Sequence, residues 1–421
     1  MIMYKYLVGI VLLLPLIGII MVERGAFAAS VGIFGYANGA GIAYAVYASV
    51  VVLVAWISNG QKPRLSQLSV NEEKHSDFKL KIFGVNLLLV NAAFLLIFLF
   101  GFGAINVWTG IIGKGEFRVG LGIFGAFPNL MTKFVLPAFL AYATSLYLKS
   151  SKSRRLQWLM VANFTLLFII GASWGFKTTG FVVLLPALMI IYWKISIMSL
   201  LKLSFAFVAV VLMFFYIFDA GVQAYADVGT FLFTRVTVIQ GDVAWYVWDK
   251  YITGQDLPNY WPTLLAAFGG NILTVFGLSR SDFYNWIYYH YDLLITYVAK
   301  VPLDQIENGH SVTATPFAEG LVAGGVWGII FFSVIAGLIV GRLHSYIRRS
   351  LAYGHHIRAA VAATYFCFYV FSWLNGGAVV QLFHISLWIA LFITLCAFKG
   401  MLLVGKKPKT RVPYLPVARS V

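Results

Sequence analysis

What most constrains this chain is a succession of apolar runs, each long enough to cross a bilayer. A spanning helix needs about 17–25 residues. Ten such runs can be read, at about 6–22, 33–57, 83–103, 127–148, 157–173, 180–194, 202–218, 317–340, 359–376 and 382–398. Only 11% of the 421 residues are charged and 61% are hydrophobic, against roughly 25% charged in soluble domains. The expected fold class is therefore an all-α polytopic membrane protein with about 10 transmembrane helices. No internal repeat and no separate soluble domain stands out. The first run, followed by Ala26-Phe-Ala28, has the look of a cleavable signal, but Glu23 and Arg24 directly after it point to a retained helix.

Charge fixes an expected orientation. With the N-terminus in the cytoplasm, 22 of the 31 Lys and Arg residues fall on the inside and 12 of the 15 acidic residues on the outside, as the positive-inside rule requires. Both termini are then cytoplasmic. The chain divides into seven N-terminal spans (1–218), a long outer loop (219–316), three C-terminal spans (317–398) and a basic tail (399–421). The loop tolerates zero or two extra crossings, since one would invert all that follows. Trp261-Pro262 and Gly269-Gly270 suit a re-entrant or interface-lying segment within 260–298.

The basic residues expected outside are informative, because the rule disfavours them there. Lys133 falls within the fourth run, between Pro128 and Pro137; Lys177 falls in the polar turn Gly175-Phe-Lys-Thr-Thr-Gly180; Arg118 ends Gly115-Glu-Phe-Arg118. Cations from these loops can converge on one mouth, where they would suit a pyrophosphate or an acidic sugar. Each alone also fits a contact with lipid phosphate.

If 233–250 is helical, Arg235, Asp242 and Asp249 lie seven apart on a polar stripe flanked by Val238, Trp245 and Trp248. A guanidinium and carboxylates beside aromatics suit phosphate plus sugar. A helix lying on the membrane explains the same pattern, and Gly241 counts against a continuous helix. Arg280 lies in Ser279-Arg-Ser-Asp282, before an aromatic run from Tyr284 to Tyr291 that fits sugar stacking or an interfacial belt. His310, among flexible polar residues, can titrate near neutrality and take a proton. Glu319, three residues after Pro316, belongs to the first turn of the eighth run, where the helix dipole stabilises it and a cavity would open. His384 is a third candidate at that depth. Cys367 and Cys396 lie in apolar runs as buried thiols. No phosphate-binding loop, dinucleotide fingerprint or metal-spaced His/Cys cluster is present in the sequence, which argues for chemistry without nucleotide, metal or cofactor.

In layout and in three segments the chain resembles the bacterial O-antigen polymerase family (Wzy-type), with the related O-antigen ligases nearby. Thr234-Arg235, opening the long loop, is similar to an Arg-led helix of that family. Lys177 stands where the family tends to have an Arg, and Lys lacks the bidentate fork. The segment His310 to Gly328, ending Gly324-Gly325-Val-Trp-Gly328, is similar to the family's His/polar segment followed by a Gly-x-x-Gly span. The resemblance implies a GT-C-like glycosyltransferase of the bacterial inner membrane, acting in lipopolysaccharide biosynthesis. It would join undecaprenyl-pyrophosphate-linked oligosaccharide units on the periplasmic face. Its partners would be that lipid-linked oligosaccharide, membrane lipid, and a flippase and chain-length regulator of the same pathway, with no nucleic acid. Arg235, Arg280, Lys177, Lys133 and Arg118 would hold the pyrophosphate; His310, Asp242 or Glu319 would take the acceptor proton. An O-antigen ligase and a lipid-linked oligosaccharide transporter are the competing readings, and the almost charge-free spans favour chemistry at the surface over transport.

Overall fold

The structure, a computed structural model, describes residues 2–60, 70–175, 179–193, 198–199, 234–269, 273, 275, 277–278, 282–307, 310–312 and 314–403. The described chain is mostly helical, with one short antiparallel ladder pairing Phe27 with Phe34 and Ala28 with Ile33. Among the described residues eight helices are long and apolar enough to cross a membrane: Tyr4–Glu23, Ala40–Ser58, Ser76–Gly101, Ala126–Tyr147, Arg154–Ala172, Pro316–Ala352, His356–Gly376 and Val379–Met401. The expectation of ten changes at two places. The run at 180–194 is broken into Thr179–Val182 and Leu185–Ile191, each too short to span. The run at 202–218 lies outside the described residues, as does the loop from 219 to 233. Cys367 is buried, but Cys396 lies exposed on the bundle surface.

Polar contacts define two ends. At one, His344 Nδ1 meets Asn59 Oδ1 at 2.8 Å, Arg348 donates to the Gly60 carbonyl, His356 Nδ1 meets Ser145 Oγ, and the Ser151 amide donates to Asp77. These are the segments in which the sequence concentrates its basic residues. The opposite end, called the mouth below, gathers the 24–39 connection, the helix Ile239–Ile252 and the start of Pro316–Ala352.

Glycine sets the closest approaches. Between the first helix and Ile239–Ile252, a Cβ on Gly18 would strike the Thr237 carbonyl, and one on Gly241 would strike the Pro15 carbonyl and the Ile19 amide. Gly241 therefore sits inside a continuous helix. Its low propensity is offset by backbone-to-backbone packing, the usual use of small residues between membrane helices. Gly337 and Gly341 likewise seat the long C-terminal helix against Val51, Ala55 and Ser58.

Pro316–Ala352 is not one straight rod. Gly324 and Gly325 leave the helical region, Gly325 at φ 60 and ψ −144, a conformation essentially confined to glycine. Across this hinge the chain folds back on itself. Gly320 and Gly328 pack so closely that a Cβ on either would strike the other's carbonyl oxygen, an approach a straight helix cannot make over eight residues. The short arm 316–323 therefore lies beside the first turns of 326–352, whose Phe332 ring is 6.2 Å from Tyr260 and 6.5 Å from Trp373. Glu319 is carried roughly 8 Å below the hinge, five residues at about 1.5 Å each. The segment before Pro316 must reach that depth without helix. Such backbone survives in a membrane only when buried in protein or lining a cavity.

Candidate functional site

The second break in helical order faces the first. The helix Phe371–Gly376 ends at Gly377 (φ 75) and Ala378 (φ 64), and a short turn Val379–Leu382 follows before Ile385–Leu403 resumes. A Cβ on Gly377 would collide with the Tyr291 ring and the Ala314 carbonyl. Glu319 ties the two breaks together. It is wholly buried, and it accepts from Tyr260 Oη at 2.8 Å, Trp373 Nε1 at 2.9 Å and the Val379 amide at 2.7 Å. Three donors are what a buried carboxylate needs to offset lost hydration. Glu319 is thus a clamp. The expectation of an accessible base at a cavity mouth fails because the hinge turns it inward and its oxygens are occupied.

Asp242 is corrected on similar grounds. It is also fully buried, and its oxygens accept from the amides of Ser30 and Val243. Burial pushes its carboxyl up to about 6 despite those donors. One helical repeat on, Asp249 accepts from Asn38, while Trp245 and Trp248 donate to the carbonyls of Tyr36 and Asn38. The Asp242–Asp249 part of the stripe read as phosphate-plus-sugar chemistry is the seat of the 24–39 connection.

Among the predicted cations the structure brings two together. Lys133 sits in a π-helical turn, Met131–Val135. Its side chain is exposed while Thr132, Phe134 and Val135 are buried. Arg118 is close enough for the two charges to repel. Arg118 and Asn129, one turn before Lys133, line a cleft of about 330 Å³ with Gly122, Gly125 and Trp174. Trp174 fixes its wall by donating to Thr132 Oγ1 at 3.2 Å. The cleft opens at the mouth, since the other ends of the helices Ala126–Tyr147 and Arg154–Ala172 belong to the basic end. Arg235 has its backbone in a second π turn, Thr234–Val238. Lys177 and Arg280 lie outside the described residues. His310 is exposed on a loop, its amide donating to the Gln305 carbonyl. His384 meets Ser386 Oγ at 2.7 Å and packs near Gly269. Among the described residues no group of three or more His, Cys, Asp or Glu could hold a metal ion.

Asp292 is the residue that sequence reasoning missed. It opens the helix Tyr291–Val298, half-buried, within electrostatic range of Glu319. Its side chain has no hydrogen-bond or ion-pair partner among the described residues, and burial raises its carboxyl to about 6. Its place inside an aromatic run hid it; an acidic residue in the first turn of an amphipathic helix was the available signal. No family model, curated protein or solved structure matches this chain.

Proposed function

We propose that this chain is a membrane glycosyltransferase, an O-antigen-type polymerase that joins oligosaccharide units carried on undecaprenyl pyrophosphate at the periplasmic face of a bacterial inner membrane. The observation that supports this reading most is the Arg118–Lys133 cleft. Arg118 lines it and Lys133 lies beside it, at the end of the bundle opposite the basic loops, where the positive-inside bias gives no reason for cations. A diphosphate leaving group is the ligand such a pair fits. In the reaction the acceptor hydroxyl oxygen attacks the donor's anomeric carbon. The bond from that carbon to the pyrophosphate oxygen breaks, and the lipid pyrophosphate departs with the electron pair, stabilised by the cations. The acceptor proton passes to a base. Asp292 takes the place of Asp242 and Glu319 in that role, because its carboxyl has no hydrogen-bond partner among the described residues and burial raises it to about 6.

Surface polysaccharide in a deletion strain tests the reading. Loss of the long-chain ladder with single-unit-capped lipid A retained is expected, together with rescue by the wild-type chain and no rescue by the double variant Arg118→Ala/Lys133→Ala. Loss of every unit with lipid-linked polymer accumulating would reassign the chain as a ligase. An unchanged ladder would overturn the transferase reading.

A further inference from the structure

A second cleft, unrelated to the Arg118–Lys133 pair, opens at the mouth between the end of Ile239–Ile252 and the turn after Tyr291–Val298. Its volume is about 520 Å³, and its lining includes Lys250, Asp256, Pro258, Tyr297, Lys300 and Pro302. Two like charges face one cavity. Lys250 feels both its partial burial and the charge of Lys300, which together hold it below the ordinary lysine range. Neither lysine has an ion-pair partner among the described residues; Lys250 Nζ lies 5.3 Å from the Tyr246 ring.

Lys300 is also held in an unfavourable conformation. Its φ of 61 places it in the left-handed region. It caps the helix there, with its amide on the Tyr297 carbonyl at 2.9 Å and the Val301 amide on Thr296. Glycine is the usual residue at such a cap, and a non-glycine side chain costs about 1–2 kcal/mol. Tyr297, by contrast, is fixed in place. Its ring packs edge-on against Tyr284 at 6.0 Å and against Tyr288 at 6.3 Å, and Tyr288 Oη donates to Tyr284 Oη.

We infer that this cleft binds an acidic saccharide: Lys250 and Lys300 hold an oxyanion on the sugar, the ring lies along Tyr297 and the proline wall, and Asp256 accepts from sugar hydroxyls. The volume suits one or two pyranose rings. A carboxylate at the rim would repel a bare phosphate or an anionic bilayer surface, but it is a good acceptor for hydroxyls. A prearranged aromatic face beside charged donors provides ring contact and orientation together. The site stands apart from the transferase reading, because it requires binding alone.

The test uses the full chain in lipid nanodiscs and saturation-transfer NMR. The probes are a glucuronic-acid-terminated disaccharide, its glucose-terminated counterpart, and inorganic phosphate. The acidic disaccharide is expected to bind at least about tenfold more tightly than either of the others, a charge-assisted hydrogen bond's worth. Lys300→Gly should weaken that binding by about tenfold while leaving the melting temperature equal or higher, since glycine relieves the cap. Lys250→Met should weaken it without that stability gain. Equal binding of the acidic and neutral disaccharides would overturn the inference, as would undiminished binding by both lysine variants. Phosphate binding as tightly as the acidic disaccharide would overturn the saccharide assignment.

Discussion

Carboxylates and cations at the mouth of this bundle meet opposite fates. Asp242, Asp249 and Glu319 are buried, and each accepts from a donor on a segment distant in sequence. Arg118, Lys250 and Lys300 line open clefts, and Lys133 lies exposed beside one of them. A buried carboxylate is tolerable only when its lone pairs are filled, so the donors around Asp242, Asp249 and Glu319 account for their presence as architecture. No such account covers Lys250 and Lys300, which have no ion-pair partner among the described residues. Charge by itself does not mark a site; charge that the fold has left uncommitted does.

The comparison breaks most decisively at Glu319. Removing its carboxylate strands three buried donors, at about 1–3 kcal/mol each, a large part of the 5–15 kcal/mol that holds a typical domain together. Glu319→Ala should therefore yield little monodisperse protein in detergent, and Glu319→Gln an intermediate amount. A Glu319→Ala protein that folds normally and has lost only activity would return Glu319 to the catalytic set. Asp292→Asn should behave in the opposite way. Its melting temperature should stay near wild type while turnover of a lipid-pyrophosphate oligosaccharide falls by roughly 10²–10⁴, the usual contribution of a general base. Unchanged turnover would remove Asp292 from the mechanism.

The hinge sharpens the same contrast between packing and freedom. Gly328→Ala drives a methyl into the Gly320 carbonyl and should prevent the short arm from docking. Gly324→Ala meets nothing within 4 Å, and its φ of −169 is ordinary extended backbone. It should cost no more than the ±0.5 kcal/mol of a neutral substitution. Limited proteolysis of the 301–325 region separates the two, with Gly328→Ala cut much faster. Equal cleavage of both variants would mean that the arm is not folded back.

Much of this architecture was legible in the sequence, for identifiable reasons. Eight spans follow from apolar run length, and the grouping of the basic loops at one end follows from charge counting. The broken stretch around Pro186 was not, because composition alone does not show where a helix stops. Gly241 was misjudged by helix propensity, which ignores the backbone of the first helix packed against it. Glu319 was correctly placed in a first turn, yet its partners Tyr260, Trp373 and Val379 lie 54–60 residues away, and no local pattern announces them. Arg118 and Lys133, which lie within electrostatic range of each other, stood out in the sequence because the topology rule disfavours cations on the side expected for them.

The smallest effect expected is also the one that tests whether the buried carboxylates are enclosed at all. Burial raises Asp242 from 3.8 to about 6, so the folded chain holds its proton more tightly than the unfolded chain. Between those two values the unfolded chain has released a proton that the folded chain keeps. Stability then falls as pH rises through the window and is flat above it. Going from pH 5 to pH 7.5 in detergent should therefore lower the melting temperature of the wild type relative to that of Asp242→Asn. Two pKa units correspond to on the order of 2–3 kcal/mol, an upper bound for this one group. Asp292, shifted in the same direction to about 6, adds with the same sign. Asp242→Asn should lack this contribution and keep the one that Asp292 supplies. The same change in melting temperature between pH 5 and pH 7.5 in the wild type and in Asp242→Asn would place Asp242 in contact with water or a cation, and would move it from the architectural carboxylates to the uncommitted charges.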